Sequence, residues 1–247
     1  MTTGHWTAFE EFTRGIMTEY HVAGTAVAVA QDGKIAYARG FGLRSLEPPL
    51  PVTPETVFGI ASVTKSFTAL AIMDLAGQGK LEPEDPVKEH LPDFAVPGHG
   101  DIRIHHLLSH TAGIPPLRRR QELAGFCEHL NYLATARYRL LGQPGRYLSY
   151  CNDAFLVLGA VIERVTGRPY REYVKETILD RLAMSRSTFS LSELEGLDNV
   201  TCLYLYDPAE GVLKQQPWPE LGNYDVGGGI RSTVLDLVKY GGAYTGQ

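Results

Sequence analysis

Apolar residues return at helical spacing through Phe9–Tyr20, which predicts an amphipathic helix near the start of the chain. The pattern then changes period. Thr25 to Ala30 reads as an apolar strand, and Asp32-Gly33 is a two-residue turn signal that sends the chain back along Ile35 to Gly40, so a hairpin is expected. Further on, Phe58-Gly59-Ile60-Ala61 leads into Ser62. Phe67, Leu70, Ala71, Met73 and Leu75 then make a largely apolar helix that should end near Gly77 and Gly79. A turn at Pro144-Gly145 and a polar stretch come before the apolar run Ala154 to Val165, which predicts a long buried helix with Tyr150 and Asn152 just ahead of it. Val234 to Tyr240 again has a helical pattern. Strands and helices mixed in this way indicate an α/β fold, with no linker or internal repeat visible.

The helix predicted after Ala61 gives Ser62 chemical interest. A helix's first turn carries backbone N–H groups with no intrahelical partner, and its dipole favours negative charge, such as would develop on a substrate bonded to serine. The amide of Ser62 could itself be one such donor. Lys65 falls one turn on, on the same face, so its amine can reach the hydroxyl. Burial and the helix dipole both act to lower the pKa of a lysine there, toward the range where a neutral amine accepts a proton. A serine three residues before a lysine also fits an ordinary helix start, with Ser62 as the cap and Lys65 in solvent. The other segments decide between the two readings.

One of these segments is Tyr150-Cys151-Asn152. A tyrosine beside a lysine can serve as a general base, because the neighbouring cation stabilises phenolate, and an asparagine amide can bind a substrate carbonyl. Helix capping and packing are the alternative roles for both residues.

Ser62-Val63-Thr64-Lys65 and Tyr150-Cys151-Asn152 are accompanied by Leu107-Leu108-Ser109-His110-Thr111-Ala112-Gly113-Ile114, by Leu156 to Gly167 and by Gly227-Gly228-Gly229-Ile230-Arg231-Ser232-Thr233. In these segments and their order the chain resembles the serine β-lactamase and penicillin-binding protein superfamily, specifically its class C-like branch, which also holds DD-carboxypeptidases, D-amino-acid peptidases and esterases. The resemblance covers nearly the whole chain. It implies an antiparallel sheet flanked by helices plus a mostly helical lobe. It also implies Ser62 as nucleophile, Lys65 and Tyr150 as the proton-transfer pair, and Asn152 as an amide that orients substrate and contacts Lys65. The expected activity is hydrolysis of a β-lactam, a D-amino-acid peptide or an ester through an acyl-enzyme, with no cofactor.

Two departures from the family pattern stand out. Cys151 occupies a position where the family more often carries serine. The family's third motif, a Lys or His followed by a variable or Thr residue and then Gly on a strand, is not found after Ser232-Thr233, where the helical pattern Val234 to Tyr240 and then Gly241 to Gln247 follow instead. The sheet is therefore expected to be incomplete. The expected lobes are residues 1–61 with 198–247 (α/β, cut short at its C-terminal end) and residues 62–197 (mostly helical). The missing strands could belong to a longer product or come from another chain, or the chain could be a relative that binds substrate without turnover.

Composition removes other classes. With 247 residues, 44% hydrophobic and 21% charged, the chain can bury a sizeable core. A net charge of −5 argues against nonspecific nucleic-acid binding, and Arg118-Arg119-Arg120 is too short a basic run to reverse that. The longest apolar stretch, Ala23 to Ala30, cannot span a bilayer. Met1 to Phe12 lacks a basic region followed by an apolar one, so no signal peptide and a cytoplasmic location are expected. Cys127, Cys151 and Cys202 are odd in number and lack metal-like spacing, which suits reduced thiols. Cys151 ranks below Ser62 as a nucleophile, because no base pairs with it in the sequence. His90, His99, His105, His106 and His110 lie close enough to raise a metal site, but no His-Glu-x-x-His pattern joins them and none is assigned. The expected partners are a small-molecule or peptide substrate and, at the open sheet edge, a second copy or a strand-completing chain.

Overall fold

The computed structural model describes residues 4–92, 94, 101–123 and 125–245, with the side chains of residues 4 and 5 excepted. His99 and the Pro97-Gly98 and Gly100 positions lie outside them. The chain divides into two compact units. One comprises Met1–Phe58, Leu182–Glu220 and Arg231–Gln247, and the other Gly59–Arg181 and Leu221–Ile230.

In the first unit the predicted N-terminal helix forms as α1 (Gly4–Glu19), five residues earlier than its apolar pattern begins. It packs through Trp6, which stacks on Tyr37 at 4.3 Å between ring centroids. The hairpin also forms: β1 (Gly24–Gln31) pairs antiparallel with β2 (Lys34–Ser45), from Gly24↔Gly42 to Gln31↔Lys34. Its turn places Asp32 at φ 52° and Gly33 at φ 71°. Two successive left-handed residues match the right-handed twist of the strands, which is why Asp-Gly is favoured there. β2 runs five residues past the predicted Gly40, and its far end pairs with β3 (Leu50–Pro51). At Gly40 a Cβ would stand 2.1 Å from the Val52 carbonyl oxygen, so the close approach of the chain after β3 requires glycine.

Among the described residues the resulting sheet has the order β1-β2-β3, leaving β1 as an edge. A second hairpin, Leu203–Asp207 with Val212–Gln216, forms a separate two-stranded sheet that is not among the expected elements. Its signals were nonetheless present: alternating large apolar residues, then Pro208 and Gly211 at the turn. The pattern after Thr233 is the helix Val234–Ala243, capped by the Thr233 hydroxyl, which accepts the Asp236 N–H at 3.1 Å.

The second unit is built on two helices. α2 (Thr64–Gly77) buries Phe67, Thr68, Ala71, Ile72 and Leu75. The helix Asn152–Thr166 buries every residue from Asp153 to Ile162, as expected for a helix that is apolar all round and central to its core. It stops at Gly167, whose φ of 69° provides the left-handed C-terminal residue and whose N–H bonds Glu163 O at 2.8 Å. Thr68 ties α2 to the segment 225–228 by donating to Val226 O at 2.6 Å. Mixed α/β architecture with antiparallel sheets is thus observed.

Candidate active site

All four residues singled out from the sequence lie in the second unit, and the fold brings them together. The approach to Ser62 is fixed from both sides: Ile60 N–H bonds Ile230 O at 3.0 Å, and Ile230 N–H bonds the Thr64 hydroxyl at 3.1 Å. Ala61 then adopts φ 44°, a left-handed conformation that costs an alanine energy and persists only where its surroundings enforce it. Ser62 sits in the single 3₁₀ turn Ala61–Val63, which feeds directly into α2.

Lys65 does not reach for solvent: it is only 6% exposed. Its Nζ donates to Ser62 Oγ at 3.2 Å, to Asn152 Oδ1 at 2.9 Å and to Gly227 O at 2.8 Å. An ammonium group has three protons to share among these acceptors. Nζ also stands over the Tyr150 ring, 4.9 Å from its centroid, and 5.6 Å from that of Phe155. These partners make burial of a cation tolerable, since an unpaired one would be strongly destabilising.

Tyr150 precedes the helix, and Asn152 is its first residue. The Tyr150 hydroxyl donates to Ser62 Oγ at 2.7 Å. Burial raises the phenol's pKa, but hydrogen bonds with Lys65 and Ser62, together with the charge on Lys65, outweigh burial and hold it below the ordinary tyrosine value. Tyr150 and Ser62 are both exposed, so a substrate can reach the serine.

The Gly227 carbonyl was not identified from the sequence as a partner of Lys65, although its glycine-rich segment was. A backbone oxygen 162 residues away leaves no residue-type signal. The glycine itself was the available clue: a Cβ there would lie 3.0 Å from Lys65 Nζ and press on the ammonium.

Cys151 is buried, with its thiol against Pro115 O at 3.5 Å and Asp153 Oδ2 at 3.7 Å. Burial first, then the Asp153 charge, push its pKa up to about 12, which leaves it protonated and a poor nucleophile. The described histidines are occupied separately: His90 with Asp85 at 2.9 Å, His105 with Glu84 at 3.2 Å, His106 with the Arg103 N–H at 3.0 Å and His110 with the Cys151 N–H at 3.2 Å. Among the described residues no group of three or more His, Cys, Asp or Glu side chains is placed to hold a metal. Nor is any helix among them long and apolar enough to cross a membrane.

An exposed serine and tyrosine gathered around a buried lysine define a class, and comparison with known proteins agrees. The beta-lactamase family model matches residues 9–247, and the chain belongs to that family. Protein flp of Staphylococcus aureus (strain MW2) is 32% identical over 175 residues, covering 68% of this chain and 35% of that protein. A beta-lactamase of Pseudomonas fluorescens is 28% identical over 228 residues, covering 91% of this chain and 60% of that protein. Among solved structures, the octameric penicillin-binding protein homologue from Pyrococcus abyssi superposes with a TM-score of 0.89 at 37% identity, over 99% of this chain and 56% of its own. A class C beta-lactamase superposes with a TM-score of 0.80 at 24% identity, over 96% of this chain and 64% of its own, a likeness of fold. The chain thus spans about a third of the length of Protein flp and a little over half of the Pyrococcus protein.

Proposed function

We propose that this chain carries the acylation centre of a serine hydrolase acting on an amide or ester carbonyl. The observation that supports it is the placement of Ser62 Oγ within 3.2 Å of Lys65 Nζ and 2.7 Å of the Tyr150 hydroxyl. Ser62 Oγ attacks the carbonyl carbon, forming a C–O bond, while its proton passes to the Lys65–Tyr150 pair, with Tyr150 the nearer acceptor in its phenolate form. Collapse of the tetrahedral species breaks the bond to the leaving amine or alcohol, which takes that proton back. The resulting ester on Ser62 is released by water, with the same pair as base. The charge on Lys65 favours the Tyr150 phenolate, and Asn152 Oδ1 holds the Lys65 amine at 2.9 Å. The family resemblance extends the reading to β-lactams, D-amino-acid peptides and simple esters as substrate classes.

The test is the intact mass of the chain after incubation with a penicillin and, separately, with a nitrophenyl ester, beside Ser62→Ala. One acyl adduct in the wild type and none in Ser62→Ala is expected. Equal labelling of Ser62→Ala would remove the assignment, and a folded wild type that takes up neither reagent would favour a binding module instead.

The lowered Tyr150 pKa also gives a pH dependence. The base must be ionised, so acylation should speed up as pH rises through an ionisation below that of an ordinary tyrosine, near 10. In Tyr150→Phe that rise should vanish and the rate fall by about 100-fold or more. An unchanged profile in Tyr150→Phe would show that Tyr150 is not the base.

A further inference from the structure

His110 takes no part in the mechanism above, yet the two backbone N–H groups that flank Tyr150 both end on it. Its carbonyl accepts the Ser149 N–H at 2.8 Å, and its Nδ1 accepts the Cys151 N–H at 3.2 Å. Its ring lies 4.4 Å from the Tyr150 ring, tilted by 34°, and 5.1 Å from that of Phe155. His110 is itself held firmly, because its N–H bonds Leu107 O at 3.2 Å and the next residue's N–H bonds His106 O at 2.8 Å. Its φ is 56°, a left-handed conformation uncommon outside glycine and in which asparagine, aspartate and histidine are enriched. A loop that needed only a left-handed residue would be met by glycine, whereas here the side chain supplies an acceptor and a ring face.

We propose that His110 is a positioning residue for Tyr150, gripping the backbone on both sides of it and its ring face so that the phenol meets Ser62 Oγ. This rests on the reading of Tyr150 as the base. An Nδ1 that accepts an N–H must carry its lone pair, so the ring is neutral with its proton on Nε2. Protonation would place an N–H against the Cys151 N–H and a second cation near Lys65. Burial and the charge on Lys65 both hold the His110 pKa below its usual value, so that change falls at low pH. Among the described residues the titratable or charged groups facing the ring are Lys65 from α2 and Tyr150 and Cys151 from the segment before the helix.

The test compares rates of Ser62 acylation by a nitrophenyl ester in the full chain for His110→Gly, His110→Asn, Tyr150→Phe and the double variant His110→Gly/Tyr150→Phe, each checked for cooperative unfolding. Glycine keeps the left-handed backbone but loses the acceptor and ring, and should slow acylation by about 100-fold, the scale of a misplaced catalytic group. Asparagine tolerates the same φ and sets Oδ1 close to where Nδ1 stood, so His110→Asn should recover most of that loss and shed the acid-side inflection. In the double variant His110→Gly should add little to Tyr150→Phe, since a residue acting through Tyr150 has nothing left to position. Additive losses, wild-type rates in His110→Gly, or no recovery in His110→Asn would each overturn the proposal. A Tyr150→Phe variant that acylates at the wild-type rate would instead sink the assignment of Tyr150 as base, and is read separately.

Discussion

Lys65→Ala should slow acylation of Ser62 by about 10²- to 10⁴-fold, the span attributed to a positioned proton-transfer group. The loss follows from three contacts made by one ammonium, to Ser62 Oγ, Asn152 Oδ1 and Gly227 O. Alanine removes the cation that favours Tyr150 phenolate, so the Tyr150 ionisation should move up toward the ordinary tyrosine value and the rising limb of the pH–rate profile should follow it. Arginine is no substitute: a planar fork differs in shape from a compact ammonium, and the space beside Gly227 is already tight, with a Cβ there only 3.0 Å from Nζ. Stopped-flow measurement of nitrophenolate release across pH gives both readouts. A wild-type rate with an unmoved profile would make Lys65 a structural residue and end the proposed mechanism.

Asp153→Ala should act on stability rather than chemistry, destabilising the fold by about 3 kcal/mol. Asp153 lies next to Asn152 in the first turn of its helix. Its Oδ1 is 2.8 Å from His129 Nε2 and accepts from the Tyr224 hydroxyl at 3.4 Å, and both Asp153 and His129 are 1% exposed. His129 Nδ1 already has no hydrogen-bond partner among the described residues, so losing Asp153 leaves both ring nitrogens buried without one. Asp153→Asn keeps size and one acceptor and should cost less. Urea unfolding of the three proteins, with slopes compared as well as midpoints, measures the difference. A shift below about 0.5 kcal/mol for Asp153→Ala, the range of ordinary surface substitutions, would mean that the pair contributes little.

Several features that position the site can be read along the chain, because they follow from local rules. The 3.6-residue period of apolar positions found α2 and the helix Asn152–Thr166, and the Asp32-Gly33 signal found the β1–β2 turn. The spacing of Ser62 and Lys65 already put an amine within reach of a hydroxyl. Other features escaped a local reading. The hairpin Leu203–Asp207/Val212–Gln216 follows from pairing as well as from its turn residues, and the five-residue extension of β2 depends on its pairing with β3. The sequence left open whether Lys65 faces solvent. Its acceptors, Asn152 and Gly227, stand 87 and 162 residues away and become its partners only when the chain folds.

The sequence by itself therefore determined which chemical groups this protein owns, and which of them share a helical turn, because side-chain identity and short-range periodicity are local properties. It also carried enough separate motifs in order to indicate the family. Only the tertiary structure decided that Lys65 is buried and hydrogen-bonded, that the Tyr150 hydroxyl comes within 2.7 Å of Ser62 Oγ, and that His110 holds the backbone on both sides of that tyrosine. The physical reason is that hydrogen bonds over about 3 Å and the shift of an ionisation by burial depend on distance in space, to which separation along the chain is nearly blind.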